Sequence, residues 1–79
     1  MTFRVIRREK ETHDIFPRII VSSNDVTYYV WYSDMRKELC VSQEDVPEDV
    51  RIPLQKDFVD DNMIPTAECA KYLVKRYHI

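Results

Sequence analysis

The stretch Val26-Thr27-Tyr28-Tyr29-Val30-Trp31-Tyr32 constrains the fold more than any other part of the chain, because as a β-strand it has no polar face. Side chains alternate along a strand, so Val26, Tyr28, Val30 and Tyr32 point one way and Thr27, Tyr29 and Trp31 the other. Both sides are rich in the β-branched and aromatic residues that suit a pleated surface. One face can be covered by the single clear helix of the chain. What covers the other, in a chain of 79 residues, is the main clue to function.

The rest of the sheet reads around this strand. Residues 3–8 alternate Phe3 and Val5 against Arg4, Ile6 and Arg8, a first strand with one arginine-bearing side. Residues 9–16 form a charged connection. Pro17 precedes a β-branched run at 18–22, at the position where a strand tolerates proline. Ser23-Asn24-Asp25 is a turn, since Asn and Asp accept left-handed backbone and no glycine is present. Ser33-Asp34 turns the chain again into a fourth strand, Met35 to Val41. Links this short favour an antiparallel meander. Residues 42–61 read as an acidic, mostly irregular excursion anchored by Val50, Ile52, Leu54 and Phe58. Within it Ser42 and Asp45 suit the cap of one helical turn that Val46-Pro47 stops. Residues 50–54 suit an edge strand or the lead into a short helix at Pro53.

The last segment is helical. Pro65 and Thr66 open it, Glu68 lies in its first turn, and Lys75, Arg76 and His78 lie in its last, each on the side the helix dipole favours. At 3.6 residues per turn, Ala67, Cys69, Ala70, Leu73, Val74 and Tyr77 fall within an arc of about 160°, and Glu68, Lys71, Lys75 and Arg76 take the remainder. The expected fold is therefore α+β: a single domain over 1–79, with a small antiparallel sheet of about four strands and a C-terminal amphipathic helix on one face.

Composition narrows the chemistry. Apolar residues at 44% and charged residues at 33% suit a globular domain. No apolar run approaches the roughly 18 residues of a spanning helix, neither terminus carries a targeting or lipidation signal, and the expectation is a cytoplasmic protein with no membrane contact. The absence of glycine excludes phosphate-cradling loops, which need backbone without a Cβ beside the ligand. Cys40 and Cys69 are the only cysteines and are expected as reduced, buried thiols. Neither pairs with His13 or His78 at the spacing structural zinc requires. On a helix, Cys69 and His78 are rotated by about 180° from one another, on opposite sides. Asp60-Asp61 and Glu48-Asp49 are adjacent acids in a polar loop rather than a pair with separated pKa values. No enzyme activity, metal or cofactor is expected.

Two features remain for binding. The first is the pair Tyr29 and Trp31 on the sheet face away from the helix, rings of the kind that anchor protein interfaces. The second is the block 42–61, where seven acids against Arg51 and Lys56 leave −5 in a chain of net charge −2. Asp57, Asp60 and Asp61 in that block are expected to steer the protein to a basic partner surface. Very small, acidic, motif-free chains with one aromatic patch are the sort viruses of bacteria use to block a host enzyme or defence complex. The expectation is a non-enzymatic protein-binding module, a small inhibitor or adaptor. Homodimerisation through a sheet edge or the Tyr29/Trp31 face is compatible with it. The alternative is a single-stranded RNA or DNA binder that stacks bases on Tyr29 and Trp31 and uses Arg4 and Arg8 for phosphates.

Overall fold

The computed structural model describes residues 2–43 and 50–77. Five strands run as a meander, β1 (Phe3–Glu9), β2 (Arg18–Ser23), β3 (Val26–Ser33), β4 (Glu38–Gln43) and β5 (Val50–Pro53), followed by a 3₁₀ turn at Lys56–Phe58 and helix α1 (Ala67–Tyr77). Each strand pairs antiparallel with the next, so β1 and β5 are the edges and β3 is central. The α+β meander with a C-terminal helix on one face is the observed architecture. It has five strands rather than about four, because residues 50–53 pair with β4, Val50 opposite Val41 and Ile52 opposite Leu39. Pro53 ends this edge strand, where its missing N–H leaves no ladder bond unmade.

The hairpins turn without glycine. Between β2 and β3 only Asn24 and Asp25 intervene, at φ 52° and 68°. This is the two-residue reversal whose positive φ values match the twist of the flanking strands. Between β3 and β4 the turn occupies 34–37 and delays the fourth strand to Glu38 rather than Met35. Lys37 closes it at φ 56°, its Nζ donating to Asp34 at 3.0 Å.

Packing follows the parity of β3. Tyr28, Val30 and Tyr32 are buried on one face with Ile19, Val21, Leu39, Val41 and Ile52, and Cys69, Ala70, Leu73 and Val74 of α1 close over them. Each of the larger side chains contributes roughly 1.5–3 kcal/mol by leaving water. Thr66 caps the helix, its Oγ1 accepting the Cys69 N–H at 3.2 Å. Ala67, expected on the apolar arc, is exposed: at the first helical position it lies ahead of the sheet contact. Tyr77 meets Tyr28 edge to face at 5.6 Å. Of the segment expected over 42–61, the anchors are as read, with Ile52 in the core and Val50, Leu54 and Phe58 packed against it. Val59 bridges to Pro65, and the Thr66 N–H donates to the Phe58 carbonyl at 3.0 Å. Ser42, expected to cap one helical turn, instead continues β4 opposite Tyr29, and Asp45, Val46 and Pro47 of that expected turn lie outside the described residues. No helix among those described is long and apolar enough to cross a membrane.

Candidate functional site: the aromatic face of the sheet

Residues paired across an antiparallel ladder share a face. Tyr29 lies opposite Ile20 and Ser42, and Trp31 opposite Arg18 and Cys40. The two rings therefore stand on the side of the sheet away from α1, each half-buried. Beneath them Ile20 and Cys40 are only 2% and 1% exposed, so this face carries a thin apolar layer of its own. The rings are at once its cover and its outer surface.

The connection between β1 and β2 builds a wall beside them. A concavity of about 270 Å³ is lined by Ile15, Phe16, Arg18, Tyr29 and Trp31 together with the polar Asp14 and Ser42. A second, of about 310 Å³, shares Phe16 and Trp31 and runs on to Met35 and Arg36. Phe16 is 44% exposed and Met35 91%. Together they make a shallow, open groove with an aromatic and thioether middle. Its sequence signal was the apolar pair Ile15-Phe16 just before Pro17, inside a stretch that reads as merely charged. Met35 gave no such signal, since it reads as the start of a strand when it is the tip of a turn.

The charges on this face differ from the expected set. Strict alternation puts Arg4 and Arg8 together, but β1 carries a bulge: the register shifts between Val5 and Arg7, with Ile6 as the extra residue. An inserted residue reverses parity beyond it. Arg4 and Arg7 fall opposite Ser22 and Ile20, on the aromatic face, and Arg8 falls opposite Ile19, on the helix side. Arg7 takes the place the sequence reading gave to Arg8. Arg18 lies over Tyr29 with its guanidinium carbon 5.0 Å from the ring centroid, and its Nε donates to Glu9 at 2.5 Å. The Nε of Arg7 donates to the other Glu9 oxygen at 3.2 Å. The hydrogen bond from Arg18 is the main reason that the Glu9 carboxyl sits below the usual range, helped by Arg7.

The acidic residues lie elsewhere. Asp60 pairs with Arg8 and accepts the N–H groups of Asn62 at 2.8 Å and Ile64 at 3.0 Å, which places it on the helix side. Partial burial pushes its carboxyl up, but the Ile64 and Asn62 donors and Arg8 outweigh this and leave it below the usual value. Asp60 closes the turn before the helix, whereas Asp57 and Asp61 are exposed. Glu44, Asp45, Glu48 and Asp49 lie outside the described residues. Tyr29 and Trp31 are thus brought together, and Asp57, Asp60 and Asp61 belong to a separate surface across the sheet.

The two thiols are separated in the same way. Cys40 is buried under the aromatic face and Cys69 under the helix, with the sheet between them. Burial pushes the Cys69 thiol up to about 12. His13 is exposed in the β1–β2 connection. Among the described residues no group of three or more His, Cys, Asp and Glu converges. Comparison with known proteins gives no match, whether to family models, to curated sequences or to solved structures.

Proposed function

We propose that the chain is a non-enzymatic protein-binding module, an inhibitor or adaptor acting in the cytoplasm, which holds its partner in the groove of the aromatic face. The observation that carries this reading is the apolar strip from Ile15 and Phe16 across Trp31 to Met35, with Asp14, Arg18 and Arg36 among the residues that line the same two concavities. An aromatic and methionine centre among polar groups is the composition of a protein interface. The exposed Asp57 and Asp61 offer a second surface, suited to a basic region. Because it lies across the sheet from the groove, a chain that uses both bridges two surfaces rather than plugging one.

Single-stranded nucleic acid is the second reading, and one observation favours it: Arg4, Arg7 and Arg18 share the face of the two rings. Against it, Arg18 covers one side of the Tyr29 ring, and the net charge of −2 repels a polyphosphate at long range.

The test compares baits in a pull-down from candidate host lysate read by mass spectrometry. Phe16→Ser with Met35→Ser should remove the specific partner, since both side chains are exposed and hold little of the core. Asp57→Lys with Asp61→Lys should retain whatever the groove holds. Recovery of the same proteins by the groove variant would refute the reading.

A further inference from the structure

We infer that the groove takes an acidic peptide segment, with an apolar anchor between Phe16, Trp31 and Met35 and its carboxylates over the arginines of β1 and β2. This rests on the groove being a protein-binding site, and it adds the chemistry of what binds there. The chain as a whole is acidic, but among the described residues this face carries more arginines than carboxylates. On its β1–β2 side Arg7 and Arg18 share the Glu9 carboxylate, Arg4 lies further along β1 opposite Ser22, and Asp14 is the acid among the described residues that line the groove. At its far end Glu38 and Arg51 offset one another. The bulge at Ile6 leaves the number of β1 arginines on this face unchanged, since Arg7 stands there in place of Arg8, and it turns Glu9 onto the face opposite Arg18.

The geometry of the cluster leaves it open to a second anion. Arg7 and Arg18 each spend their Nε on Glu9. A guanidinium has five N–H donors in a planar fork, so the terminal groups of both remain for a carboxylate that binds two of them side by side. Arg7 is accessible for this, its side chain 58% exposed. Beside the cluster, Ile15 and Met35 add aliphatic and thioether surface to the rings of Phe16 and Trp31, which suits Leu or Phe side chains.

Trp31 is the only tryptophan, so its emission reports directly on the groove. The probes are an acetylated, amidated peptide alternating Glu with Leu and Phe, the same peptide with Lys for Glu, and oligothymidylate. The Glu peptide should shift Trp31 emission saturably and bind at least about tenfold tighter than the Lys peptide. Its affinity should fall as salt rises from about 0.1 M to 1 M and the Debye length shrinks from ~10 Å to ~3 Å. Arg4→Glu with Arg7→Glu, on the exposed edge strand, should keep the wild-type circular dichroism and reverse the preference. If the Lys peptide binds as well or better, the acidic-partner inference is wrong while the groove reading survives. If neither peptide saturates, both are wrong. Tighter binding of oligothymidylate than of the Glu peptide would overturn the inference in favour of nucleic acid.

Discussion

Ile20→Ala asks whether the aromatic face is a second core or mere surface. Ile20 lies on the side of the sheet away from the helix and is nonetheless 2% exposed, with Tyr29 across one ladder and Arg7 across the other. Removing a buried Ile to Ala costs about 2–5 kcal/mol, the spread set by how far the surroundings collapse into the gap. Here the cover is half-buried rings and an arginine stem, which can settle inward, so the lower end applies, about 2 kcal/mol. A domain of this length holds roughly 4–12 kcal/mol in total. With a urea slope near 1 kcal/mol/M for a small protein, the midpoint should fall by about 2 M. Urea melts followed by far-ultraviolet circular dichroism give the number, and Trp31 emission should lose its native signal in the same transition. A change below about 0.5 kcal/mol, the level of an ordinary surface site, would show that the rings do not seal this face and that Ile20 contributes no core.

On the helix side, Leu73→Ala should cost about 3–5 kcal/mol because Leu73 is fully enclosed, while Lys71→Ala, which gives up only a cation over the Phe3 ring at 5.9 Å, should lose under about 1 kcal/mol in the same melts. Lys37→Gly should stabilise by about 0.5–1 kcal/mol by relieving its φ of 56°, but Met63→Gly should not, since its side chain packs against the core and that contact is lost with the strain. Asp60 ionises below its unfolded value, so its contribution is present above about pH 4 and disappears as pH falls through the lower folded value. Asp60→Asn should therefore lower the melting temperature at pH 7, by an amount that shrinks as the pH is taken below about 4. Cys69, with its thiol pushed up to about 12, should resist a thiol reagent at pH 8 until urea unfolds the chain. Reaction of the native protein at the unfolded rate would contradict its burial.

The sequence by itself determined the local structure and the sidedness of its strongest elements. Period-two alternation from Val26 to Tyr32 placed Tyr28 and Val30 in the core and Tyr29 and Trp31 opposite, because a strand has only two faces and each residue must take one. The same is true of Leu73 and Val74 in a helix of period 3.6, and of Asn24-Asp25 at a reversal that needs positive φ. Tertiary structure decided what alternation cannot express. A single inserted residue at Ile6 exchanged Arg7 for Arg8 on the aromatic face, and no composition or propensity marks where a ladder slips. Pairing with β4 made residues 50–53 a strand, since four residues with a proline have too little preference of their own. The groove needed three separate segments, the β1–β2 connection, β3 and the tip at Met35, to meet. Asp60 and the two rings, read in sequence as separate binding features with no stated relation in space, stand on opposite sides because the chain after β5 must cross beneath the sheet to bring α1 onto its apolar face.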